Sequence, residues 1–154
     1  MKLRFATWAL PALVFAGCSG EAPRFLPAVV PVTGTVTWAD GKPLSNAMVT
    51  FIPVGTTKGI GSDGVTDATG KYELQAPRRE GDKGAPPGEY KVTISKRVMP
   101  DGQEISLTTP PAPDTTPMAS ATKELVGAAF NESTTLTATV APTGGVIDFK
   151  VDKR

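Results

Sequence analysis

The sequence predicts an all-β protein, an antiparallel β-sandwich of about seven short strands. Three observations lead to this fold class. Several stretches alternate apolar and polar residues with a period of two, which is the pattern of a half-buried strand. Turn-forming residues separate these stretches at short intervals, in a chain with 16 glycines and 15 prolines among 154 residues. No stretch shows a convincing helical spacing of apolar residues, and a series of short strands without helices predicts an all-β fold.

Three strands are clear from alternation alone. VTGTVTW at 32–38 places threonines on one face and Val36 and Trp38 on the other, and AMVTFIPV at 47–54 follows the turn-rich ADGKPLSNA. EYKVTISK at 89–96 is the most regular of the three. The inward positions of all the predicted strands form the expected core: Val36, Trp38, Val49, Phe51, Tyr72, Leu74, Tyr90, Val92, Ile94, Leu136, Val140, Ile147, Phe149 and Val151.

Two hairpins are predicted from turn residues between alternating segments. GVTDATGKYEL turns at 67–70 and continues with Tyr72 and Leu74. STTLTATVAPTGGVIDFKV turns at 142–145, and its two arms are expected to pair with each other. We therefore expect each of these segments to add two neighbouring antiparallel strands to one sheet.

A long excursion separates the last two predicted parts of the sandwich. Residues 99–131 contain five prolines between positions 100 and 117. Proline lacks a backbone N–H and does not fit a central strand, so this segment is predicted to be a long surface loop. Positions 104–107 allow a short edge pairing, and 122–131 allow a turn of helix. Loops of this length usually carry function or are disordered.

The N-terminus has the pattern of a secretory signal peptide. Lys2 and Arg4 precede an apolar run at 5–16, which is too short to span a bilayer as a helix. The only cysteine, Cys18, follows directly after Gly17. The predicted organisation is a signal peptide at 1–17, a flexible Pro/Gly-containing tether at 18–31 and the sandwich domain at 32–154, which includes the loop at 99–131.

The residues Phe15-Ala16-Gly17-Cys18 resemble a bacterial lipobox, with Phe15 where leucine is usual. The resemblance implies cleavage before Cys18 and a diacylglyceryl group on its thiol, which anchors the protein firmly in a membrane. Ser19 resembles the sorting signal of outer-membrane lipoproteins. A plain secreted protein with an incidental cysteine, or a cytosolic protein, are the alternatives.

Composition limits the chemistry. The chain has no histidine, the commonest general base and metal ligand, and a single cysteine cannot form an internal disulfide. We therefore expect no catalytic site, no metal and no cofactor. Removing residues 1–17 removes Lys2 and Arg4 and brings the net charge from +1 to −1. This balance gives no electrostatic basis for a nucleic-acid partner, and the protein is expected to be a monomer.

Three motifs together resemble the carboxypeptidase regulatory-like family: VTGTVTWADGKPLSNAMVTFIP, GVTDATGKYEL and PPGEYKVTISK. The resemblance covers residues 32–97 and implies a seven-stranded, Greek-key, transthyretin-like sandwich. It transfers a fold and not an activity, because the zinc peptidase domain that accompanies this module in metallocarboxypeptidases is absent from the sequence. The matching residues are Gly34, Val36, Gly41, Pro43, Leu44, Ala47, Val49, Thr66, Asp67, Gly70, Tyr72, Pro87, Gly88, Tyr90 and Val92.

Several motifs have both a structural and a functional interpretation. Asp67 is expected to be a turn residue, and a calcium site with Asp63 is the alternative, although the spacing does not match a calcium-binding loop. Tyr90 is expected to bond nearby backbone in the manner of a tyrosine corner. Trp38 is expected in the core, with a sugar-stacking platform as the alternative. Asp40-Gly41 reads as a turn. Arg78-Arg79-Glu80 reads as a solvated loop, with an anion site as the alternative.

The predicted function is that of a non-enzymatic, lipid-anchored protein of the cell envelope. It is expected to act as a structural or protein-interaction module with an envelope protein or polysaccharide as partner. The alternative is a glycan- or peptide-binding module that uses the 99–131 loop, since binding residues favour loops held on a rigid scaffold. An enzyme that works through carboxylates is the third class.

Overall fold

The computed structural model describes residues 27–77, 82–105, 107 and 122–154. These residues are all-β, with ten strands, one 3₁₀ turn at Ala128–Phe130 and no α-helix among them. The strands are β1 Val32–Trp38, β2 Met48–Pro53, β3 Ser62–Val65, β4 Lys71–Glu73, β5 Gly88–Ser95, β6 Arg97–Val98, β7 Lys123–Glu124, β8 Thr137–Val140, β9 Gly145–Val146 and β10 Phe149–Val151.

The strands form two four-stranded sheets and a two-stranded ribbon. The sheet with the longer strands, called the larger sheet below, has the order β3-β2-β5-β8 and is antiparallel throughout. In the smaller sheet, β1 pairs with β4 in antiparallel orientation and with β9 and β10 in parallel orientation. The ribbon joins β6 to β7. The predicted antiparallel order is therefore correct for most pairs, but not for the partners that the C-terminal segment brings to β1.

The inner faces of the two four-stranded sheets share one hydrophobic core. Phe51 of the larger sheet lies 6.5 Å from Tyr72 and 6.1 Å from Phe149 of the smaller sheet, measured between ring centroids. It also lies 5.6 Å from Tyr90 in its own sheet. Tilted and edge-on contacts at these distances are the favourable aromatic geometry. These rings therefore join the two sheets face to face.

The predicted core residues all belong to this core, and three of them lie at its margin. Trp38, Leu136 and Ile147 are half-buried and pack against the others. Leu44 and Val126 are not among the predicted inward strand positions, and both are fully buried. Val126 comes from the segment predicted to be a surface loop, so part of that segment belongs to the domain.

Both predicted hairpins are wrong as pairings, although their turns exist. β3 pairs with β2 and β4 pairs with β1. Among the described residues the two arms form one bridge, between Asp63 and Gln75, and they also pack closely at Gly64, where a Cβ atom would lie 2.5 Å from the Glu73 carbonyl oxygen. β8 likewise pairs with β5, whereas β10 pairs with β1. In both cases the chain crosses from one sheet to the other at the turn. Alternation specifies which face of a strand is buried, but it does not specify the neighbouring strand.

The boundaries of the predicted tether and loop also differ in the structure. Val30 and Ala85 exchange backbone hydrogen bonds of 2.9 and 3.1 Å, so the end of the predicted tether is paired with the domain. Glu104 forms an isolated bridge with Val98, at the start of the allowed edge pairing. The 3₁₀ turn at Ala128–Phe130 lies within the stretch that allowed a helical turn.

The strand registers define two ends of the domain. One end, named here the tether end, holds Pro27, the beginning of β1 and the beginning of β5. The opposite end, named the Trp38 end, holds the last residues of β1, β5 and β10. β1 has seven residues, and a strand rises ~3.3 Å per residue, so about 20 Å separates the two ends.

Candidate functional site

The position of Trp38 is fixed by the turn that follows β1. Its backbone N–H donates to the carbonyl of Lys42 at 2.8 Å, and its carbonyl accepts from Gly41 at 2.9 Å. Gly41 has φ +84°, a left-handed conformation that glycine adopts without strain. The Asp40 carboxylate accepts the N–H of Lys42 at 3.1 Å, and this bond lowers the pKa of Asp40. The predicted Asp40-Gly41 turn is thereby confirmed.

The Trp38 side chain separates two shallow depressions on the surface. It is half-buried, with one part against the core and the rest open. The first depression, of about 310 Å³, is lined by Trp38, Ala39, Asp40, Asp152 and Lys153. The second, of about 260 Å³, is lined by Trp38, Lys123, Glu124, Leu125, Lys153 and Arg154. Trp38 is therefore only partly the core residue that the alternation predicts, and its open part is available to a ligand.

The second depression has a basic rim. The Lys153 ammonium lies 5.4 Å from the centroid of the indole ring, within range of a cation–π contact. Lys123 and Arg154 also line this depression, and Arg154 is 3.7 Å from the carboxylate of Glu132. Because Lys153 lies over the ring, a flat ligand that stacks on Trp38 must displace this ammonium or approach another part of the indole.

Glu124 anchors the returning end of the 99–131 segment beside this depression. Its side chain is only 9% exposed. The carboxylate accepts the backbone N–H groups of Lys96 at 2.9 Å and Val126 at 3.0 Å, and the Ser95 hydroxyl donates to it as well. Arg97 adds an ion pair at 3.7 Å. A nearly buried carboxylate is stable only with such partners, so Glu124 holds β7 against the end of β5.

Lys96 anchors the departing end of the same segment. Its side chain is 9% exposed, and its ammonium donates to Glu104 Oε1 at 2.6 Å and to the Ser45 carbonyl at 2.8 Å. The hydrogen bond from Lys96 lowers the pKa of Glu104. The sequence contains a signal for this contact that the prediction missed. Lys96 continues the inward positions of Tyr90, Val92 and Ile94, and an inward lysine requires a partner.

Asn46 completes the attachment. It has φ +50°, and its side-chain amide donates to the Ile105 carbonyl at 2.8 Å and, more weakly, to Glu104 Oε2 at 3.5 Å. Asn46, Lys96, Glu104 and Glu124 are named the clamp below. The clamp fixes residues on both sides of positions 108–121, which lie outside the described residues. The described parts of the predicted 99–131 loop that contact the clamp are thus held at the Trp38 end of the domain.

The other predicted site residues have structural roles or lie outside the described residues. Asp67 Oδ1 accepts from the N–H and hydroxyl of Thr69, both at 2.7 Å, and from the N–H of Lys71 at 3.0 Å. The Thr69 hydroxyl is the main cause of the lowered pKa of Asp67. The turn interpretation of Asp67 is confirmed. Asp63 exchanges backbone hydrogen bonds with Gln75. Cys18 and Arg78-Arg79-Glu80 lie outside the described residues.

Tyr90 makes the contact predicted for a tyrosine corner. Its buried hydroxyl donates to the Pro86 carbonyl four residues earlier, at 2.6 Å. Burial raises the pKa of this hydroxyl, so it stays protonated as a donor. In the part of the chain that the structure describes, no group of three or more acidic or cysteine side chains could hold a metal ion. The same residues include no helix long and apolar enough to cross a membrane.

Comparison with known proteins yields little beyond this geometry. No family model matches the chain, and no curated protein matches it. Among solved structures, the chain is similar to a 9R-lipoxygenase from Cyanothece PCC8801, with 15% sequence identity and a TM-score of 0.37. The match covers 79% of this chain but only 16% of the lipoxygenase chain. A similarity this low says nothing about activity.

Proposed function

We propose that the protein is a lipid-anchored β-sandwich of the cell envelope that acts by binding another envelope protein and not by catalysis. Acylated Cys18 attaches it to the outer membrane, and the Trp38 end of the monomer is the contact surface. The depression with the basic rim and the clamped 99–131 segment supply this surface together.

One observation supports this proposal above the others. The described chain enters the domain at Pro27, at the tether end, whereas Trp38 and the clamp lie at the opposite end. An anchor at Cys18 is therefore attached to the end of the domain opposite the Trp38 end, which lies farther from the attachment point by about the length of β1, roughly 20 Å. A protein built to hold a contact surface off a membrane needs this separation of anchor and binding end.

We also propose that the domain is a carboxypeptidase regulatory-like, Greek-key sandwich. Seven of the described strands have three or more residues, three in the smaller sheet and four in the larger. Residues of the family motifs hold special backbone positions. A Cβ atom on Gly70 would lie 2.6 Å from the Val36 carbonyl oxygen, and the Thr66 hydroxyl accepts the N–H of Ala47 at 2.9 Å. These are fold-determining roles, as expected of motifs that transfer architecture.

The contacts of the polar side chains support a binding role. Asp40 and Asp67 are each occupied by a turn, and Lys96 and Glu124 are occupied by the clamp. Each of these four side chains forms a hydrogen bond with a backbone group, and this structural role accounts for its position. Three cations line the second depression beside Trp38, namely Lys123, Lys153 and Arg154, and this basic rim suits an acidic partner surface.

Two variants test the proposal in cells. Cys18→Ser is expected to abolish labelling by a clickable fatty acid, and unchanged labelling would contradict the anchor. Trp38→Ala in the anchored protein is expected to lose the partner that wild type captures from solubilised envelope. Val146→Ala, a change to an exposed apolar residue at the other end, is the control and is expected to keep it. Loss of the partner in the control alone would move the contact surface to the tether end.

A glycan- or peptide-binding module is the second candidate. The half-open indole beside two depressions favours it, because aromatic faces stack on sugar rings and on peptide side chains. A glycan array distinguishes the two functions. A selective signal that Trp38→Ala abolishes supports the module, whereas no signal together with protein capture supports protein binding.

A further inference from the structure

The exposed apolar side chains are concentrated at one end of the molecule. Five large apolar residues of the described chain are exposed, and four of them lie at the tether end: Ile52, Val54, Ile60 and Val146. Leu107, the fifth, adjoins the clamp at the Trp38 end. Single exposed apolar residues are ordinary on a protein surface, but their collection at one end indicates contact with something apolar.

The loop at 54–61, VGTTKGIG, presents two of these residues and is named the tether-end loop. Ile60 is 56% exposed and Val54 is 37% exposed. The loop has one charged residue, the exposed Lys58, and no acidic residue. An aliphatic tip with a lysine has the composition that favours an anionic phospholipid surface, because the cation attracts the headgroups and the apolar side chains enter below them.

The first part of the loop is hydrogen-bonded to the beginning of β5. The Thr57 hydroxyl donates to the Glu89 carbonyl at 3.0 Å and accepts the N–H of Glu89 at 2.8 Å. Val54 donates to the same carbonyl at 3.0 Å. These bonds hold the first part of the loop, Val54 to Thr57, against the beginning of β5, so less of the loop has to be ordered on binding.

The chain enters the domain beside this loop. A Cβ atom placed on Gly59 would lie 3.6 Å from Cγ of Pro27 and 3.4 Å from Cγ of Pro86. Nine residues connect Pro27 to Cys18, and an extended chain spans at most ~3.6 Å per residue, or about 30 Å. Acylated Cys18 therefore keeps the tether-end loop within reach of the membrane that holds the acyl chains.

We propose that the tether-end loop is a second membrane contact, which seats Ile60 and Val54 in the phospholipid surface. This inference rests on the proposed lipid anchor and adds an orientation to it. The anchor alone would leave the domain free to tumble on its tether. With the loop seated, the Trp38 end points away from the bilayer.

Tryptophan quenching by brominated lipids tests this contact in the full acylated protein. Cleavage before Cys18 removes Trp8, so Trp38→Phe leaves a background without tryptophan. Ile60→Trp in this background is expected to lose about half of its emission in phosphatidylethanolamine–phosphatidylglycerol vesicles with brominated acyl chains, since interfacial side chains sit ~5–10 Å deep. Thr56→Trp in the same loop is the second reporter if Ile60→Trp does not fold. Leu107→Trp is the matched control and is expected to keep its emission.

The outcomes separate this inference from the anchor on which it rests. Acyl chains detected by mass spectrometry, with unquenched tryptophans at positions 60 and 56, overturn the membrane contact and leave the anchor intact. Equal quenching at positions 60 and 107 also overturns the proposed orientation. A protein that carries no acyl chains and does not bind the vesicles overturns the anchor and the contact together.

Discussion

Two buried tyrosines end in hydrogen bonds to backbone carbonyls. Tyr90 is fully buried and donates to Pro86 at 2.6 Å, and Tyr72 donates to Ile147 at 2.7 Å in a half-buried contact. Tyr90→Phe leaves the buried Pro86 carbonyl without this donor, so we expect the free energy of unfolding to fall by about 1–3 kcal/mol. Urea unfolding measures the change. Tyr72→Phe is the comparison and is expected to cost less, and a Tyr90→Phe variant as stable as wild type would contradict the corner.

Acid is expected to weaken the clamp through Glu104. The hydrogen bond from Lys96 places the folded-state pKa of Glu104 below its ordinary value of 4.5. The contribution of the charged carboxylate is therefore fully present above about pH 4.5 and is lost as the pH falls through the lower folded-state pKa. Glu104→Gln removes this dependence. The difference in Tm between wild type and Glu104→Gln is expected to shrink from pH 6 to pH 3, and a constant difference would refute the ion pair.

Single residues were predictable where their chemistry is local. The turn at Asp67 and the corner at Tyr90 involve partners within four residues, so the residue types alone predict them. Trp38 and Lys96 depend on segments distant in the chain. Alternation predicts the face on which each lies, but the partial exposure of Trp38 follows from where the strand ends relative to residues 123–125 and 153. Lys96 has its carboxylate partner because the bridge between Val98 and Glu104 brings Glu104 back beside the end of β5.

At the scale of the strands, the packing of β1 depends on the close approach of the Ile147 backbone to Gly34. A Cβ atom on Gly34 would lie 1.8 Å from the Ile147 carbonyl oxygen and 2.8 Å from the Tyr72 ring, so the C-terminal segment packs directly on this glycine. Gly34→Ala is expected to cost about 2–4 kcal/mol of unfolding free energy, because backbone must move. Gly145→Ala is the control, since its Cβ would meet nothing within 4 Å. Equal stability of the two variants in urea would show that β9 and β10 do not pack on β1 in this way.

The strands themselves were predictable and their partners were not. Alternating β-branched residues specify β1, β2 and β5, because a pleated strand with one buried face requires that pattern. The parallel pairing of β10 with β1 joins Phe149 to Val36, more than a hundred residues apart. Local turn residues at 142–145 suggest a hairpin just as well. The hairpin does not form because β8 pairs with β5 in one sheet whereas β10 pairs with β1 in the other. These partners are distant in the sequence, so no local pattern predicts them.

At the scale of the whole molecule, the fold and the binding end are expected to be separable. Replacing residues 108–121 by a short Gly/Ser bridge keeps the whole clamp, and loop closure entropy changes only slowly with loop length. We expect the β-rich circular dichroism spectrum to persist and the captured partner to be lost. A Gly/Ser segment of the original length is the control for composition and is expected to lose the partner too. Retained capture would place the binding surface on the rest of the Trp38 end or on the sheet faces.

The central claim is that the anchored protein presents its Trp38 end to a partner protein. A photo-crosslinking residue at Lys123, on the basic rim, tests this in intact cells, and the same residue at Thr139, exposed on β8, is the control. The account predicts a discrete crosslinked protein from position 123 and none from position 139, with the product dependent on Cys18. A product from position 139 alone, or from neither position, would contradict it.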